Sequence, residues 1–193
     1  MRLFQLRKAN GPYWKFSNSV HPEKDTLVAL GLILRPRGLS GELVVRPYRE
    51  DTRSFRKGLS VILIGEKSEL HSTIEYARRS GRDFGVKLAA IDDRQAAIGC
   101  RNFELCCRFD QLPKQEPDEY YIFDLVGLKV IGKRDEEIGF VSEIMDMPAA
   151  DLLVVETETG PIMVPFARRF IDSVSLTDKT IKINSIDELR DED

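Results

Sequence analysis

The sequence predicts an all-β chain made of two small β-barrels joined by a short linker. Three observations carry this. Apolar runs are short, of strand length, and turn signals separate them, as expected for antiparallel strands that close on themselves. Two prolines, Pro113 and Pro117, stand close together within residues 112–117, and each fixes φ and removes a backbone donor, so this stretch reads as a linker. Charge changes sign at the same place. Residues 1–26 carry five Lys or Arg against two Asp or Glu, residues 27–112 carry fifteen against eleven, and residues 113–193 carry nine against nineteen.

The 193 residues, 42% hydrophobic and 32% charged, suit a soluble globular protein of one large or two small domains. No apolar run approaches the roughly 18 residues of a membrane-crossing helix, and residues 1–26 lack the apolar core of a secretory signal. The acidic half is expected to repel nucleic acid and attract a basic protein. The mildly basic half can lie near phosphate.

Residues 1–26 place Tyr13, Trp14 and Phe16 among basic residues. They read either as a surface that stacks on RNA or as a mobile extension, which the break at Asn10-Gly11-Pro12 favours. The first barrel is predicted over residues 27–111. Leu27–Leu34 is its first strand. Arg35 to Glu42, with Pro36, Gly38 and Gly41, suits a wide hairpin loop with positive φ at a glycine. Leu43–Tyr48 returns. Leu59–Ile64 and Leu70–Tyr76 follow, then a basic turn at Arg78–Asp83 and an alternating strand through Phe84, Val86 and Leu88. Asp92 is expected to cap a short helix that Gly99 stops. In the last strand, Phe103–Phe109, alternation sends Cys107 inward and Cys106 outward.

The second barrel is predicted over residues 118–185. Leu125–Ile131, Ile138–Met145, Leu152–Val155, Ile162–Val164 and Thr180–Asn184 read as strands, with a helical turn at Arg168–Ile171. Residues 186–193 read as a disordered acidic tail.

Three cysteines, Cys100, Cys106 and Cys107, fit neither a zinc spacing nor a disulfide framework and suggest a reducing cytoplasm. Only two histidines occur, His21 and His71, without metal-ligand spacing. No G-x-S-x-G, Walker loop or G-x-G-x-x-G is present. No metal site and no cofactor is expected. The best catalytic candidates are Asp124 or Asp151 beside a buried pocket, and they are a weak basis for an enzyme.

Two groups of residues stand out as binding candidates. Tyr120 and Tyr121 follow the linker, between Asp118-Glu119 and Phe123. In a strand they point to opposite faces, so one ring packs inward and the other lies in a seam or meets a partner. The second group is basic: Arg35, Arg37, Arg46 and Arg49 around the first hairpin, and Arg78, Arg79 and Arg82 at the later turn. These read either as solvated turns or as phosphate contacts.

With these residues in hand, the chain resembles the RimM family of ribosome maturation factors. Gly31-Leu32-Ile33 and Arg37-Gly38-Leu39-Ser40-Gly41-Glu42 resemble that family's Gly-x-Ile strand and His-Gly-x-x-Gly-Glu loop. Arg37 replaces the usual His and Ser40 a common basic residue, so the role of that His is not carried over. Asp118-Glu119-Tyr120-Tyr121 with Phe123-Asp124-Leu125-Val126-Gly127 is similar to the start of the family's PRC-barrel. Ile138-Gly139, Asp151–Val155 and Val164-Pro165-Phe166 match in order. Pro148-Ala149-Ala150 and Asp187-Glu188-Leu189 depart from the family's Gly-Ala and Gly-Leu-Leu.

The resemblance implies a translation-factor-like first barrel and a PRC-barrel second. It implies a monomeric, non-enzymatic, cytoplasmic assembly factor for the small ribosomal subunit head, which assists processing of small-subunit rRNA. The implied partner is the basic ribosomal protein uS-nineteen, with Asp118, Glu119, Tyr120, Tyr121 and Phe123 at the contact. The rival class is a direct RNA-binding module that uses the basic loops. A PRC-barrel protein with a membrane role is a third.

Overall fold

The computed structural model describes residues 1–4, 6–7, 9, 22–48, 53–145, 147 and 150–184. Arg49, the expected tail at 186–193 and most of residues 1–26 lie outside the described residues. The chain divides into two compact units, with the division between Lys114 and Gln115. Strand β1 (Arg2–Phe4) belongs with the second unit.

In the first unit β2 (Leu27–Arg37), β3 (Glu42–Pro47), β4 (Ser60–Ile64), β5 (Glu69–Ser80), β6 (Asp83–Leu88) and β7 (Glu104–Arg108) close a barrel in the order β2-β3-β6-β5-β4-β7. Alternation decides what fills it: Ile33, Leu43, Val45, Leu63, Val86 and Leu105 all point inward and are fully buried. Closure gives every strand a partner on both sides along part of its length.

Four expectations are corrected here. Strand β2 runs through Pro36 to Arg37 instead of ending at Leu34. Beyond Ile33, whose backbone still bonds Asn102 and Phe103, it pairs with β3 alone, and a stretch with one open side tolerates proline. The tight turn holds Gly38 and Gly41, both at positive φ. Arg78 and Arg79 lie in strand β5, and the turn shrinks to Gly81 and Arg82. The cap of α1 (Arg94–Gly99) is Asp93, whose carboxylate accepts from the Ala96 N–H at 2.8 Å. Asp92 instead accepts from Lys87 Nζ at 3.3 Å.

The fourth correction concerns Cys106, which is buried although it faces out of the barrel. Its outward face is not bare. Glu104 shares that face, accepts from the Tyr48 hydroxyl at 2.9 Å and pairs with Arg7 Nη2 at 3.1 Å. The Arg7 guanidinium lies 4.4 Å from the Tyr48 ring centroid. Arg7 also accepts from the Ala29 N–H at 2.9 Å, and Leu6 is buried. These two residues are therefore packed, where the sequence suggested a mobile extension or a surface that stacks on RNA.

In the second unit β8 (Glu119–Tyr121) pairs in parallel with β1. A short helix α2 (Ile122–Leu125) follows, where a strand from Leu125 was expected. Ile122 and Leu125 are three apart and both enter the core, as on one face of a helix. Gly127, at φ +86°, ends the helix with a left-handed residue. The sheet then runs through β9 (Lys129–Ile131), β10 (Glu137–Met145), β11 (Leu152–Thr157), β12 (Gly160–Pro165), β13 (Ile171–Ser175) and β14 (Thr180–Ile183).

Its order is β12-β11-β10-β9-β14-β13. Val164 from one end strand and Ile171 from the other enter the same core as Leu153, Val155 and Ile181, so the sheet curls around its own apolar face. Strand β13 is absent from the sequence reading. Its residues Asp172, Ser173 and Ser175 hide the alternation, and only Ile171 and Val174 mark it. The turn before it is real: Phe170 and Ile171 both donate to the Ala167 carbonyl at 2.9 Å.

Candidate partner-binding site

The tyrosine pair sits on β8, and the strand alternation separates the two rings. Tyr121 is buried, stacked on Phe123 with centroids 5.2 Å apart at 15°, and tilted against Phe4 at 6.5 Å. Tyr120 turns the other way and meets Phe166 edge to face, with centroids 5.8 Å apart at 89°. It remains half-buried, packed against the sheet core.

Backbone geometry fixes this segment. Arg2, Leu3 and Phe4 pair with Glu119, Tyr120 and Tyr121, and the Arg2 N–H donates to the Asp118 carbonyl at 2.8 Å. Asp118 adopts a left-handed φ of 67°, which aspartate tolerates better than most residues. Its carboxylate pairs with the Arg168 guanidinium. The Glu119 carboxylate accepts from the Glu116 N–H at 2.9 Å. Burial first, then the Asp118 charge, raises the Tyr120 hydroxyl above its ordinary range, and Arg168 opposes the shift. The phenol therefore stays neutral at physiological pH, able both to donate and to accept. A partly exposed ring beside an ion pair offers a rigid amphipathic contact rather than a reacting group.

All five sequence candidates lie on this short segment, with Tyr121 and Phe123 buried and Tyr120 outermost of the three rings. The sequence reading missed Phe166, Arg168 and the β1 residues. Only Arg168, a cation in an acidic half, carried any signal.

The basic candidates are gathered differently. Arg46 makes a two-pronged pair with Asp83, Nε to Oδ1 at 2.9 Å and Nη2 to Oδ2 at 3.3 Å. That bond first, then the nearby charges of Arg46, Arg82 and Arg35, holds the Asp83 carboxyl below the usual range. Arg37 stands 3.9 Å from Glu42. The Arg78 guanidinium lies 5.4 Å from the Tyr76 ring centroid. Arg79 differs: it is opposite the inward-facing Phe84 and donates to the Gly81 carbonyl at 3.2 Å. Among the described residues no group of three or more His, Cys, Asp or Glu is placed to hold a metal. Nor is any described helix long and apolar enough to cross a membrane.

Comparison with known proteins identifies the lineage. Residues 28–112 match the RimM N-terminal domain and residues 122–189 match the RimM PRC barrel domain. The chain belongs to the RimM family. It is 37% identical over 147 residues to the ribosome maturation factor RimM of Rubrobacter xylanophilus, covering 76% of this chain and 87% of that one. It is 30% identical over 174 residues to that of Thiobacillus denitrificans, covering 89% and 92%. Among solved structures it resembles the N-terminal domain of RimM from Thermus thermophilus, with 27% identity over 47% of this chain and 98% of that one, at a TM-score of 0.39. The two matched ranges fall one in each of the two units described above. Asp118 to Tyr121 fall between the two matched ranges.

Proposed function

We propose that this RimM-family chain serves ribosome maturation by binding rather than by catalysis. It acts in the cytoplasm on the head of the small ribosomal subunit, as a monomer, and assists rRNA processing there. Its contact is a basic ribosomal protein, uS-nineteen in the family's pattern, and the docking point is Tyr120 with Asp118 and Glu119 beside it.

The observation that carries this reading is the posture of Tyr120. The ring is braced by Phe166 yet partly exposed, so little rotamer entropy is lost when a partner covers it. Charge supports the choice of partner: residues 113–193 hold nineteen Asp or Glu against nine Lys or Arg, which favours encounter with a basic surface.

The test is capture from lysate. The whole chain should retain small-subunit assembly intermediates, and Tyr120→Ala should lose them while staying folded, with a melting point within a few degrees of the parent. Equal capture by both proteins would remove Tyr120 from the contact. Failure of the parent to capture any small-subunit particle would remove the reading itself.

A further inference from the structure

The register of the first barrel assembles a basic surface that neither the tyrosine site nor the hairpin loop describes. Arg35 on β2 pairs with Val44 on β3, Val44 with Gly85 on β6, and Gly85 with Arg78 on β5. Residues in such a row point to the same side of the sheet. That side is outward, because the flanking Leu43, Val45, Phe84 and Val86 all belong to the barrel core and Val44 does not. Arg46 and Asp83 flank the row on the same face by alternation, as do Arg37 and Glu42. Five arginines, counting Arg82 at the turn beside Asp83, therefore meet two carboxylates on one wall of the barrel.

Both carboxylates are tied to arginines, Asp83 to Arg46 and Glu42 to Arg37. Arg35, Arg78 and Arg82 are exposed, and no carboxylate of the described residues makes an ion pair with them. Gly85 keeps the centre flat: a Cβ there would collide with the Glu42 carboxylate and lie 3.0 Å from Arg37 Nη1. At the end of the row Tyr76 is 37% exposed, and the Arg78 guanidinium over it extends a planar surface. Charge tracking a backbone beside a stacking plane is the arrangement that holds single-stranded nucleic acid.

We propose that this outer wall of β2, β3, β6 and β5 binds single-stranded RNA, with Arg35, Arg78 and Arg82 on phosphates and a base stacked at Tyr76–Arg78. The choice of RNA as the polyanion rests on the ribosomal reading above. The site itself is separate from Tyr120. Arg79 is excluded from it, since its strand position faces the other side.

The experiment uses the whole chain and a fluorescent oligouridine, with anisotropy read across a salt series. The parent binds at low salt and weakens as salt rises. The triple variant Arg35→Gln/Arg78→Gln/Arg82→Gln loses about two units of log–log salt slope, at roughly 0.7 per phosphate contact. The corresponding Arg→Lys triple variant keeps the slope, which separates charge from folding. Tyr76→Leu keeps the slope but binds about tenfold more weakly. Tyr120→Ala binds RNA like the parent even where it loses the small subunit, so this proposal and the tyrosine reading fail separately. No binding at low salt, an unchanged slope in the Gln variant, or equal displacement by polyglutamate at matched charge overturns the proposal. The last of these outcomes would assign the wall to an acidic protein.

Discussion

The Tyr120 ring meets Phe166 edge to face, with centroids 5.8 Å apart at 89°. Aromatic pairs in this geometry are worth about 0.5–1.5 kcal/mol beyond the area they bury. Phe166 is itself buried, so the brace is anchored in the sheet core. Tyr121, the next residue, has a different set of neighbours, Phe123 and Phe4. One dipeptide thus supplies a buried ring and a presented ring.

The first prediction follows from Phe4. It is buried in the β1 strand beside Tyr121, so Phe4→Ala removes packing and not merely an end residue. Urea unfolding should show a loss of about 3 kcal/mol, at the low end for a buried aromatic because a surface strand can settle. A change below about 0.5 kcal/mol, the range of ordinary surface substitutions, would mean that β1 contributes little.

Two glycines give an opposed pair. A Cβ at Gly139 would collide with the Glu156 backbone carbonyl of the neighbouring strand. Backbone cannot give way as a flexible side chain does, so Gly139→Ala should cost about 1–3 kcal/mol. Gly99 closes α1 with nothing near its missing Cβ, and Gly99→Ala should be neutral or stabilising by up to about 1 kcal/mol. Equal effects in chemical denaturation would contradict the register of β10 and β11.

A third prediction concerns Cys106. Burial first, then the Glu104 charge, pushes its thiol up to about 12. The unfolded thiol titrates near 8.5. Its folded pKa is raised, so its contribution to stability is fully present below about pH 8.5 and is lost as pH rises toward 12. Cys106→Ala should flatten that alkaline slope, and at pH 7 the folded protein should leave Cys106 unalkylated by iodoacetamide. Rapid labelling of the native state would contradict the burial.

The first barrel was largely legible because its strands alternate cleanly, and Leu43, Val45, Phe84 and Val86 mark the inward face by periodicity alone. Cys106 was misplaced because alternation predicts direction but not what lies outside. Arg7 and Leu6, from a segment with no periodicity, cover that face. The α2 helix was hidden because Ile122, Phe123, Leu125 and Val126 form a short apolar stretch interrupted only by Asp124, too short for its period to separate a helix from a strand. The candidate tyrosines were visible from composition and position. Phe166 and Arg168, which hold Tyr120 and Asp118, lie far along the chain, and only the fold brings them near. The basic wall was half legible: the arginines were seen as turn residues, whereas their common face depends on cross-strand register.

The most direct test of the account pairs a melting curve with a binding isotherm on Tyr120→Ala and Tyr121→Ala. The ligand is the isolated small subunit or its basic head protein. Tyr120→Ala is expected to melt within a few degrees of the parent and to bind about thirtyfold more weakly, the size of a buried interface tyrosine worth about 2 kcal/mol. Tyr121→Ala is expected to lose stability, by about 3–5 kcal/mol as for a core aromatic, with unchanged affinity in the folded fraction. Parent-like affinity in Tyr120→Ala, with its loss appearing only as stability, would contradict the claim that this ring meets the partner.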